Sequence, residues 1–198
     1  MLNTLHSQRG TTLIELLIGM VIVAILFTMG APSFSEWIQN TRIRSAAESI
    51  LNGLQLARAE AVRRNAIVRF QLVDNLTNAC TLTSARPNWV VSQDDATGNC
   101  GKEPSDTAPR IIQKHSSTEG SAAGIDVSTV NALLTFNGLG RTTTLAAGSN
   151  AVITVSNPEI DDCMPGGTMR CLRIVVSSAG QVRMCNPAFA RTDHPQGC

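Results

Sequence analysis

The sequence predicts an α+β chain in which one long N-terminal helix is followed by, and packs on, an antiparallel β-sheet domain. Three observations carry this: an apolar run from Leu13 to Ala31, a stretch from Ile43 to Val62 with helical spacing, and short alternating runs from Ala66 onward.

As a helix, the apolar run spans roughly 28 Å at a rise of 1.5 Å per residue, close to a hydrocarbon core of about 30 Å. A secretory signal carries its cleavage site after the apolar stretch. Here the polar break, Ser7 to Gly10, precedes it, so cleavage belongs on the cytoplasmic side and the apolar helix survives processing. Arg9 lies just outside the run and no acidic residue precedes it, which holds the leader in the cytoplasm and sends the rest across. The expectation is a single-pass inner-membrane protein with a periplasmic C-terminal domain.

Beyond Pro32, which removes a backbone donor and bends a helix, the pattern becomes amphipathic. Ile43, Ala46, Ala47, Ile50, Leu51, Leu54, Ala57, Ala61 and Val62 recur at helical steps, with Arg44, Ser45, Glu48, Asn52, Arg63 and Arg64 between them. Gly53 weakens this helix slightly. Strands are expected over Ile67 to Val73, Trp89 to Ser92, Arg110 to Gln113, Leu133 to Phe136 and Ala151 to Val155. Leu172 to Val176 and Gln181 to Cys185 form a hairpin about Ser177 to Gly180. Asp94 to Pro109 and Asp161 to Gly167, rich in Gly, Pro, Asp and Ser, read as loops.

At 198 residues and 43% apolar content the chain can build one core, and a net charge of +1 supports no bulk electrostatic role. The six cysteines, Cys80, Cys100, Cys163, Cys171, Cys185 and Cys198, form no C-x-x-C pair, so disulfides in an oxidising compartment are the reading, and no metal site is expected. Short loop closures and strand neighbours suggest Cys80 with Cys100, Cys163 with Cys171, and Cys185 with Cys198. No catalytic residue or cofactor is expected: the chain contains no G-x-S-x-G, G-x-x-x-x-G-K or H-E-x-x-H.

The segment Gly10-Thr-Thr-Leu-Ile-Glu15-Leu-Leu, with Pro32 downstream, resembles the processing motif of type IV prepilins. The resemblance implies cleavage by a prepilin peptidase between Gly10 and Thr11, N-methylation of Thr11, and a role for Glu15 in assembly. The family's mature chains usually begin with phenylalanine, where this one begins with Thr11. Glu15 has its own physical argument: an acid within an apolar helix costs about 3 kcal/mol unless paired. The amine of Thr11 on an adjacent subunit has the right charge and depth. The implied organisation is a leader over 1–10, a membrane or filament-core half-helix over 11–32, an amphipathic half over 33–65 and a periplasmic β-rich domain over 66–198.

Further along, the chain resembles the FimT/GspH group of minor pilins and pseudopilins. The likeness rests on Leu54, Ala57, Arg58, Glu60, Ala61, Arg64 and Asn65, on Trp89-Val-Val with Asp94, on Phe136 with Gly140-Arg141, and on Gly180-Gln-Val-Arg183 before Cys185. It implies a type IV pilin-like fold and partnership with other pilins or pseudopilins, either as a minor, priming subunit of a pilus or as a GspH-like pseudopilin of a type II secretion system. In FimT-like pilins a C-terminal Gly-Arg-x-Arg element is implicated in DNA capture. This chain reads Gly180-Gln-Val-Arg, so the first arginine is absent. Arg183, Arg173 and Arg141 are the candidate contacts to double-stranded DNA, through phosphates.

Overall fold

In a computed structural model of the chain, the described residues are 11–118, 124–158, 163 and 170–198, with the side chains of 29–33 excepted. They fall into two compact units, one ending at Ile38 and the other running Gln39–Cys198. Helix α1 (Leu13–Arg64) contributes to both. Its first turn carries Glu15 and its last Arg63 and Arg64, signs that suit the helix dipole. Asn65, at φ 48°, closes it, with the Ala66 amide donating to the Ala61 carbonyl (3.1 Å), since asparagine tolerates the left-handed conformation a helix end requires.

The strands are β1 (Val68–Val73), β2 (Asn88–Ser92), β3 (Ile111–His115), β4 (Asp126–Thr129), β5 (Leu133–Phe136), β6 (Asn150–Ser156), β7 (Leu172–Ser177) and β8 (Val182–Cys185). They form two antiparallel four-stranded sheets, ordered β3-β2-β1-β5 and β4-β6-β7-β8. The α+β class expected from the sequence is the class observed. β4 was not anticipated: Asp-Val-Ser-Thr is short and polar, and it becomes a strand only because Val127 pairs with Val155 of β6. The third strand begins at Ile111 and extends to His115, past the expected end, because Trp89 and Val90 of β2 find partners in His115 and Lys114.

One core joins both sheets to the second half of α1. Ile43, Ala46, Ala47, Ile50, Leu54, Ala57 and Ala61 face alternate residues of the strands, among them Phe70, Leu72, Leu134, Phe136, Ile153 and Ile174. Gly53 is more than a weak point in this helix. A Cβ there would lie 2.8 Å from Phe70 Cε2 and 2.9 Å from Trp89 Cε2, so the bare backbone lets an aromatic pair settle against α1. The Trp89 indole N–H donates to Ser49 Oγ at 3.0 Å, which satisfies its polar end.

β1 and β2 are covered on both faces. Behind them Val73, Val90 and Ile111 meet Cys80, Ala96 and Cys100 of the loops, and the Cys80–Cys100 disulfide crosses this second cluster. Cys163 is bonded to Cys171 and Cys185 to Cys198. Gln71 anchors the loop after β2 from below. It is 1% exposed; its Nε2 donates to Asp95 Oδ1 at 2.8 Å, and its Oε1 accepts from the Ala96 amide at 2.9 Å. Asp95 also accepts from the Thr97 amide and hydroxyl, the backbone bond foremost, and together with Gln71 these hold its carboxyl below the usual range. Gln71→Ala strands the loop's buried polar groups, with an expected loss of about 1–3 kcal/mol that thermal unfolding of the full chain in detergent would register. A change within experimental error would mean that the disulfide alone holds this loop.

Candidate functional site

At the N-terminal end, Thr11 and Thr12 precede α1, and the Thr12 carbonyl accepts from the amides of Glu15 (3.1 Å) and Leu16 (3.3 Å). Glu15 is exposed and, among the described residues, has no ion-pair partner. Around it the helix is apolar on all sides: Leu13, Ile14, Leu16, Leu17, Ile18, Met20, Val21, Ile22, Val23, Ile25, Leu26 and Phe27 are each 50–79% exposed. A surface of this kind is stable only when lipid or other helices cover it. The expected apolar run extends to Ala31, but side chains are described only as far as Thr28 before the gap at 29–33, and among the described residues no helix is long and apolar enough to cross a membrane. Gly10 lies outside the described residues. Pro32 falls within α1, where only the backbone is described. Just beyond, the rings of Phe34 and Trp37 stack with centroids 5.9 Å apart, both rings largely exposed.

The three candidate arginines do not share one surface environment. In the β7–β8 register Arg173 opposes Cys185 and Val175 opposes Arg183, so both arginines project from the same face of their sheet, opposite the core residues Ile174 and Val176. Their side chains are half-buried. Arg183 donates to the carbonyls of Gly197 (3.5 Å) and Cys198 (3.4 Å), in the segment that the Cys185–Cys198 disulfide ties back to β8. Arg173 Nε is buried and has no hydrogen-bond partner among the described residues.

Arg141 lies elsewhere, exposed in the β5–β6 loop. Asn137 shapes that loop by accepting at Oδ1 from the amides of Leu139 (3.0 Å) and Arg141 (3.1 Å). The loop then docks on the β7–β8 turn, with the Thr142 amide donating to the Ser178 carbonyl at 3.2 Å. Contact is closest between Gly140 and Gly180: a Cβ on Gly180, at φ +79°, would stand 1.8 Å from the Gly140 carbonyl oxygen. The Gly140-Arg141 and Gly180-Gln-Val-Arg elements, distant in sequence, therefore meet.

On its other side Gly140 packs against α1, near Val62 and Arg58, and this neighbour was not anticipated as part of any site. Val62, expected in the core, is 51% exposed because the sheets cover only the stripe ending in Ala61. The helical spacing that puts Leu54, Ala57 and Ala61 inside puts Gln55, Arg58, Ala59 and Val62 outside, which is the signal that could have found this flank. Nearby, Glu60 accepts from Arg63 Nη2 (2.6 Å) and Arg64 Nε (2.7 Å). Chiefly through Arg63, and against the opposing effect of burial, these bonds hold its carboxyl below the usual range.

Comparison with known proteins bears on this arrangement. A family model described as type II transport protein GspH matches residues 46–180, more than half of the chain, and one for the prokaryotic N-terminal methylation motif matches residues 5–31. No curated protein matches significantly. Two similar solved structures are crystal forms of the type IV minor pilin FimU of Pseudomonas aeruginosa strain PAO1. One is 19% identical with a TM-score of 0.48, covering 79% of this chain and 94% of that one; the other is 18% identical with a TM-score of 0.46, covering 78% and 98%. By the extent of the family match and the methylation motif that precedes it, this chain belongs to the GspH family of pilin-like proteins, the minor pilins and pseudopilins.

Proposed function

We propose that the chain is a filament subunit: cut between Gly10 and Thr11 by a prepilin peptidase, methylated on the new Thr11 amine, and held in the inner membrane by its apolar half-helix until it enters a filament. Residues 1–10 are then the leader, 11–32 the membrane or filament-core segment, bent at Pro32, and 33–65 the amphipathic half-helix. Residues 66–198 complete a periplasmic domain stapled by its disulfides. One observation carries the reading: a helix whose apolar side chains from Leu13 to Phe27 are all exposed, with Glu15 as its charged residue, beginning where the methylation motif matches. The work of such a chain is positional, which fits a structural family. Mass spectrometry of the protein from native membranes is expected to give a chain starting at Thr11. An intact Met1, or a terminus beyond the apolar helix, refutes the proposal.

The leading assignment is a minor, priming subunit of a type IV pilus, and the alternative is a GspH-like minor pseudopilin of a type II secretion system. A deletion strain separates them, by loss of surface pili in the first case and of protein secretion in the second.

A second reading, capture of double-stranded DNA, is favoured by Arg173 and Arg183 sharing one sheet face and by the exposed Arg141 beside the β7–β8 turn. Phosphate contacts make such binding weaken steeply with salt. Full chain in detergent is expected to shift a double-stranded DNA probe at low salt, with Arg183→Gln reducing the shift. Binding that ignores both salt and this substitution removes the reading.

A further inference from the structure

Arg58, on the outer flank of α1, and Arg141, in the β5–β6 loop that packs against that flank at Gly140, have no counter-ion among the described residues. The Arg58 Nε lies 3.2 Å from the place a Cβ on Gly140 would occupy, which sets its guanidinium over the backbone just before Arg141. Both are exposed, and among the described residues neither pairs with a carboxylate. One turn further, Arg63 and Arg64 both pair with Glu60 and Arg64 also reaches Asp106 at 3.9 Å, so the uncompensated positive charge of this flank is that of Arg58 and Arg141. Between α1 and β8 lies an open groove of about 520 Å³ lined by Gln55, Arg58, Ala59, Val62, Arg63 and Val182. Leu139, next to Gly140, is 80% exposed.

Exposed arginines without a carboxylate partner favour an anionic group docked nearby, and exposed Val62 and Leu139 lose stability to water that a partner would displace. A sugar-phosphate backbone would satisfy the arginines but leave the apolar groove floor against charged oxygens. A protein segment with carboxylates beside an apolar side chain satisfies both. We propose that this groove docks an acidic segment of a neighbouring pilin-like subunit, its carboxylates on Arg58 and Arg141 and an apolar side chain between Val62 and Val182. The assignment rests on the filament-subunit reading and gives that reading a specific contact surface.

The test places the photo-crosslinking residue p-benzoylphenylalanine at position 139 of the full chain in cells that assemble the filament, and identifies the adduct by mass spectrometry. The expected adduct is a pilin-like subunit, joined within a segment that carries Asp or Glu. Its yield should fall at least about tenfold in Arg58→Glu/Arg141→Glu, be restored when the partner's acids are changed to lysine, and stay unchanged in Arg86→Glu, an exposed arginine outside the groove. Restoration also excludes misfolding as the cause of the loss. An adduct to DNA, an adduct to a segment without acids, no adduct, or a yield indifferent to the double reversal overturns the assignment. The filament reading is judged separately on the sheared-filament fraction: a chain that forms the acidic adduct in the membrane but never enters that fraction keeps its groove and loses its filament.

Discussion

Glu15→Ala is expected to leave the chain as abundant in the membrane as before, while lowering its content in sheared filaments at least about tenfold. Removing a carboxylate from an apolar helix relieves an insertion penalty of about 3 kcal/mol, so membrane residence cannot suffer from the change. On the proposed filament contact, what is lost is the attraction to the Thr11 amine of the next subunit, which is strong where water is excluded. Glu15→Asp shortens the reach and should restore part of the signal; Glu15→Lys, which sets two cations together, should be the most severe. Immunoblots of membrane and sheared fractions read this out, and equal filament content for the parent chain and Glu15→Ala would leave the carboxylate with no role in assembly.

The second large effect is on folding. Gly180→Ala places a methyl 1.8 Å from the Gly140 carbonyl oxygen and 2.9 Å from its carbon, both backbone atoms that cannot rotate aside. Gly148 offers a built-in control, because it has nearly the same φ, +80°, with nothing within 4 Å of its Cβ position. Gly148→Ala therefore reports the left-handed strain alone, about 1 kcal/mol. Gly180→Ala adds overpacking between two loops that are hydrogen-bonded together, for a total of about 2–4 kcal/mol. For a chain of this size that lowers Tm by about 4–16 °C, measured on the full protein in detergent. Equal shifts for the two variants would show that the Gly140–Gly180 contact contributes nothing, and with it would go the rigid placement of Arg141 beside the β7–β8 turn.

Gln71 and Val62 show where sequence pattern stops being informative. Alternation along β1 places Gln71 on the face away from the helix, and it is there; that this face is also buried follows from a loop more than twenty residues later folding back onto it. Val62 continues a helical apolar pattern, yet it is left half exposed, because the sheets stop short of it and only the loop at Gly140 comes near. In both cases the periodicity reports which face a side chain takes, whereas coverage of that face depends on contacts distant in the chain. The candidate arginines follow the same logic. Their candidacy as anion contacts comes from the resemblance to FimT-like pilins, while the strand register decides that Arg173 and Arg183 share a face, and the 186–198 segment decides that Arg183 already meets two carbonyls.

The sequence by itself determined the properties that are local: a helix from the spacing of its apolar residues, strands from alternation, an N-terminal motif from contiguous residues, and the α+β class from their order. Only the tertiary structure decided how eight described strands divide between two sheets, that Gly140 meets Gly180, and that Arg58 comes to lie beside Gly140. Local patterns are imposed by backbone geometry, which acts over a few residues. Sheet partners and loop contacts are chosen by packing over separations of many tens of residues, where the energy belongs to the pair and not to either segment alone.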